Sequence, residues 1–148
     1  GDSNFRQHSG GALAEARAYH AAVLLPDGRV WVGGGDDLAG DAHRSVELFD
    51  PVTNTWSKGP DLLEGRIEPR TVWLGSGEML VLGGLRTAST ASDIVEFWKP
   101  GRGSRTATSR LPFGLTGHSM HRLRDGRVGI FGGDSGNGIP RNAHLVLD

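Results

Sequence analysis

Short apolar runs alternate with turn clusters along the whole chain. The first are Tyr19–Leu25 (YHAAVLL), Val30–Gly35 (VWVGGG), Val46–Asp50 (VELFD) and Thr55–Lys58 (TWSK). Between the first two stands Pro26-Asp27-Gly28-Arg29, and Asp-Gly supplies the positive φ of a tight hairpin. Residues 36–45 form a polar loop. Pro51-Val52-Thr53-Asn54 turns the chain again, since Pro and Asn suit turn geometry. No segment carries a helical period. The pattern predicts four short strands, A to D, and an all-β fold.

The pattern then recurs. Glycine doublets stand at Gly34-Gly35, Gly83-Gly84 and Gly132-Gly133, 49 residues apart each time. The same shift aligns Gly28, Gly77 and Gly126, Leu25, Leu74 and Leu123, and Leu13, Leu62 and Leu111 without a gap. Self-similarity at this period marks a repeat architecture. The expected organisation is one domain, 1–148, with units 1–49, 50–98 and 99–147.

Composition removes several chemistries. The chain has 148 residues and no cysteine, which excludes disulfides, thiolate metal sites and thiol catalysis. The net charge of −1 argues against a nucleic-acid binder. No apolar run approaches the roughly 18 residues of a membrane helix, so no membrane partner is expected. The composition does not fix a compartment. The 24 glycines follow the repeat.

The unit resembles the kelch repeat of β-propellers. The matching residues are the apolar run into Gly34-Gly35, Val46–Pro51, Asn54-Thr55-Trp56, and Arg17 and His20 upstream. Unit two repeats Arg66, Gly83-Gly84, Val95–Trp98 and Pro100. Unit three repeats His118, Asp125–Val128 and Gly132-Gly133-Asp134. The resemblance implies four-stranded blades, with Trp56 of strand D packed near the glycine doublet. It also implies a ring, and rings close with typically 4–8 blades. Three blades per chain therefore predict two copies head to tail, making six. Ser3–Ser9 of each chain would serve as the missing strand D beside Ala143–Asp148 of the other. A piece cut from a longer ring is the other reading, in keeping with a chain that starts without Met.

Paired columns single out residues. Arg17 and Glu47 of unit one recur as Arg66 and Glu96, then change together to Leu115 and Leu145. Charges kept and lost as pairs predict contact, because a buried charge without its partner costs several kcal/mol. His20 and His118 share a column, but two histidines do not define a metal site. No cofactor is expected.

The D–A and B–C loops vary most among the units, and loops on a rigid scaffold carry binding. They hold Arg44, Arg70, Arg86 and Arg141 with Asp36 and Asp134, the expected ligand face. The expected function is a binding module for a protein segment or a glycan. The alternative is a sugar-active or metal-dependent enzyme at the central channel. The copper-enzyme relatives of the kelch class are excluded, since they need a Cys-crosslinked Tyr and this chain has no Cys.

Overall fold

The structure, a computed structural model, describes residues 11–37 and 39–148. The first sheet contains β1 (Ala18–Leu24), β2 (Val30–Asp36), β3 (Val46–Asp50) and β4 (Thr55–Gly59), paired antiparallel in chain order. The second holds β5 (Arg70–Trp73), β6 (Met79–Leu82), β9 (Val95–Lys99) and β10 (Gly103–Thr106), also in order. A small ribbon, β7 (Leu85–Thr87) with β8 (Thr90–Ala91), fills what the sequence reads as a polar loop. The third sheet has β11 (Ser119–Arg122), β12 (Val128–Phe131) and β13 (His144–Leu147). Among the described residues it has no fourth strand. The expected strand Ser3–Ser9 lies outside the described residues.

The three A–B hairpins share one backbone pattern, and the first and third also share a side-chain bond. Arg29 N donates to Asp27 Oδ1 at 3.1 Å, and Arg127 N donates to Asp125 Oδ1 at the same distance. Gly28, Gly77 and Gly126 close these turns with φ of 88°, 77° and 93°, a conformation open to glycine at no steric cost. Strand A differs between units. β1 runs unbroken through Ala18, but β5 and β11 start only at Arg70 and Ser119, leaving Ile67↔Leu85 and Thr116↔Asp134 as isolated bridges.

The core lies between sheets. Trp31 of β2 and Trp98 of β9 are wholly buried and meet edge to face, ring centroids 6.0 Å apart. Leu25, Val46, Leu48, Leu62, Met79 and Val81 complete that cluster. A second cluster, with Leu80, Leu82, Val95, Leu115, Val128 and Ile130, joins sheets two and three. Burial of each such side chain stabilises by about 1.5–3 kcal/mol.

Trp56 departs from the expectation. It is half-buried and lies against Phe49 of its own sheet, centroids 5.1 Å apart. The glycine doublet instead abuts the next unit: a Cβ on Gly34 would meet Arg66 O at 2.7 Å and Pro69 Cγ at 3.0 Å. Strand D is the outer strand, whereas the doublet ends strand B at the loop side, so the two cannot meet.

Candidate functional site

Two buried ion pairs brace the loop side. Arg17 Nη2 lies 3.0 Å from Glu47 Oε1, and Arg66 Nη2 lies 3.2 Å from Glu96 Oε2. Each arginine also donates to its own sheet, Arg17 to Gly34 O at 2.9 Å and Arg66 to Gly83 O at 2.8 Å. Each glutamate accepts a backbone N–H from the D–A loop, Ala14 to Glu47 and Leu63 to Glu96, both at 2.7 Å. In unit three the pair becomes Leu115 and Leu145, packed in the second core cluster. The loop donor becomes Pro112, which has no N–H to satisfy. The acid that flanks each arginine, Glu15 or Glu64, becomes Phe113. A whole polar cluster has thus been exchanged for an apolar one, and these residues hold the scaffold.

The four loop arginines are not brought together. Arg70 Nε donates to His118 O at 2.9 Å and ties sheet two to sheet three. Arg44 and Arg86 lie 3.8 Å and 3.9 Å from Asp61 and Glu64. Arg141 donates to Ser135 Oγ and covers the Phe113 ring at 4.5 Å.

The two aspartates of that set share one cleft. It holds about 460 Å³ and is lined by all three units, including Tyr19, Asp36, Glu68, Thr116 and Asp134. Among the described residues no arginine or lysine lines it. Three columns build it. Tyr19, Glu68 and Gly117 stand at the entrance to strand A with φ of 54°, 57° and 63°. Left-handed backbone is uncommon in non-glycine residues and clusters at functional sites. Asp36, at the end of β2, shares a column with Leu85 and Asp134, and the three are bridged to Ala18, Ile67 and Thr116. The B–C loops add Gly40, Ala88, Gly136 and Gly138.

Asp134 Oδ1 accepts from Gly136 N at 2.6 Å and from Gly138 N at 3.2 Å, which shapes its loop. Asp36 is buried, and its Oδ1 has no hydrogen-bond partner among the described residues. Thr116 Oγ1 is in the same state. Asp36, Glu68 and Asp134 take part in no ion pair among the described residues. Sequence reasoning missed Glu68 and Tyr19. The signal available was their shared column with Gly117, a position that tolerates glycine.

His118 is 1% exposed beside Gly83, between sheets two and three, and neither ring nitrogen has a partner among the described residues. Burial, and then the Arg70 guanidinium, push its pKa down to about 4. Unfolded, it takes its proton near 6.5. Its folded pKa is depressed, so the stability it permits is full above about pH 6.5 and is lost as pH falls toward 4. The loss is on the order of 2–3 kcal/mol. Denaturant midpoints measured from pH 7.5 to 4 check this, and His118→Gln should flatten the profile across that window. Its column mate His20 is exposed. Among the described residues no group of three or more acidic or histidine side chains is arranged to hold a metal ion.

The comparisons accord with this architecture. The Kelch motif model matches residues 17–63, from the ion-paired Arg17 through the first sheet and into the following loop. An F-box/kelch-repeat protein of Arabidopsis thaliana, At2g44130, is 33% identical over 81 residues, which is 54% of this chain and 20% of that protein. A second from the same plant, SKIP20, is 35% identical over 66 residues, 45% of this chain and 16% of that protein. The chain thus spans about a fifth or less of the curated relatives it matches. It therefore carries a Kelch motif and is similar over part of its length to F-box/kelch-repeat proteins, and its four-stranded antiparallel sheets are consistent with kelch blades.

Proposed function

We propose that the chain is a binding module whose D–A and B–C loops receive a protein segment carrying a lysine or arginine side chain. The observation that carries the reading is the cleft shared by all three units. Asp36, Glu68 and Asp134 line it with no basic residue among its walls, and half-exposed Tyr19 stands at its mouth. Carboxylates without counter-charges favour a cationic group, and charge-assisted hydrogen bonds are roughly twice as strong as neutral ones. An aromatic face beside them adds cation–π attraction. The relatives are named for a kelch repeat joined to an F-box, which fits a recognition role for the kelch part.

A random-sequence peptide array tests this, probed beside a glycan array. Peptides with lysine or arginine should be retained. Asp36→Asn with Glu68→Gln should weaken them about tenfold or more, and raised salt should weaken them too. Retention of glycans alone, or of acidic peptides lost with Arg44→Ala and Arg86→Ala, would sink the reading.

A further inference from the structure

The two junctions between sheets are built from the same columns and are filled differently. At the first, Trp31 meets Trp98 edge to face, Met79 is wholly buried and Trp73 packs on the same cluster. At the second, those columns hold Leu80 for Trp31, Leu147 for Trp98, Val128 for Met79 and Arg122 for Trp73. Phe97, in the column of Leu48, regains only part of that volume. What remains is a groove of about 510 Å³ between the second and third sheets, on the side of the A–B turns. Its floor is Leu74, Phe97, Val128 and Leu147, and Ser76 and Arg122 stand at its rim. It lies between two sheets of this chain and on neither outer flank.

Charge marks the rim. Arg122 is the last residue of β11. A Cβ on Gly75 would meet its Nη2 at 2.8 Å, and one on Gly126 would lie 3.9 Å from the same atom. The guanidinium therefore reaches across the second and third A–B turns. Neither Arg122 nor Arg124 takes part in an ion pair among the described residues. The acids nearby have other partners. Arg105 holds Glu78 at 2.8 Å and Arg127 holds Asp125 at 2.7 Å, while Asp148, at the rim, lies 4.0 Å from Arg127. Gly75 N and Ser76 N, on the groove wall, donate to no backbone carbonyl among the described residues.

We propose that this groove docks a segment of a protein partner that carries a glutamate or aspartate beside a large apolar side chain. The carboxylate pairs with Arg122, whose planar guanidinium matches it with two parallel hydrogen bonds. The apolar side chain covers Phe97 and Leu147, where the first junction supplies its own tryptophan ring. An open mouth favours a segment over a small molecule. Small-molecule sites bury about 70–90% of their ligand, whereas Gly75, Ser76, Arg122 and Gly126 are all exposed. The site is independent of the carboxylate cleft, which lies at the opposite ends of the strands among the D–A and B–C loops.

Amide spectra of the labelled chain, titrated with blocked tripeptides, test this. Acetyl-Leu-Glu-Leu-amide should shift the amides of Gly75, Ser76 and Gly126 in a saturable way. Acetyl-Leu-Gln-Leu-amide and acetyl-Gly-Glu-Gly-amide should each bind about tenfold more weakly, or not at all. Raised salt should weaken the first peptide. Arg122→Gln should weaken it about tenfold, and Asp36→Asn with Glu68→Gln should leave it unchanged. Arg122→Trp with Leu147→Trp restores the rings of the first junction and should abolish the shifts with unchanged far-UV circular dichroism. If a variant does not fold, the three peptides on the unaltered chain decide. Equal shifts from the glutamine peptide show an apolar contact only and overturn the proposal. So do equal shifts from acetate, which show an anion contact only. Shifts confined to other amides, or none, also overturn it.

Discussion

Glu96→Leu should destabilise the chain by about 3–5 kcal/mol, because it strands a buried guanidinium. Arg66 and Glu96 are both fully buried. Glu64 remains 3.1 Å from Arg66, but it is partly exposed and compensates only in part. Adding Arg66→Leu should recover much of the loss, since the guanidinium that Glu96→Leu strands is then gone. Recovery should stop short, because Leu63 N–H loses its acceptor. Leu63 is 44% exposed, so the lost bond should cost about 0.5–1.5 kcal/mol. Leu63→Pro as a third change should recover most of the remainder, since unit three combines Pro112, Leu115 and Leu145 at these positions. Denaturant unfolding of the single, double and triple variants at one protein concentration checks each step. Simple additivity of Glu96→Leu and Arg66→Leu would show that the pair is not coupled.

Trp98→Ala should cost a similar amount, about 3–5 kcal/mol, through lost packing and the cavity left behind. The ring is fully buried, meets Trp31 edge to face and donates Nε1–H to Pro60 O at 2.9 Å. Trp98→Phe separates the contributions. It keeps most of the contact with Trp31 and removes the donor, so about 1–2 kcal/mol should be lost. Because Trp98 lies between sheets one and two, the alanine variant should also raise amide exchange at Gly35 N–H, which spans that junction. A variant with unchanged stability would mean that the inter-sheet cluster is not the core.

Arg17, Glu47, Arg66 and Glu96 were legible as two pairs because three units of one chain offer three solutions to one packing problem. The full reach of that exchange, through Pro112 and Phe113, needed the hydrogen bonds to Ala14 N and Leu63 N. The loop face was legible as a region, from its variation between units. Its chemistry was not. The sequence lists Arg44, Arg70, Arg86 and Arg141 beside Asp36 and Asp134 without saying which converge. In the structure each arginine is drawn to a nearby acceptor or ring, and the carboxylates are left to line the cleft.

The sequence alone determined the strands of the three larger sheets, their hairpins and the 49-residue spacing, but not the β7–β8 ribbon. Alternation along a strand and Asp-Gly turn chemistry act within about ten residues, so their outcome can be read locally. Tertiary structure decided what depends on how one sheet lies on the next. It joined Gly35 N–H to Arg66 O across one junction and Gly84 N–H to Leu115 O across the next. It also gathered Tyr19, Glu68 and Asp134 from three units into one cleft. These contacts join residues about 30 to more than 100 positions apart, and the spacing of apolar residues along one strand carries no information about the angle between two sheets.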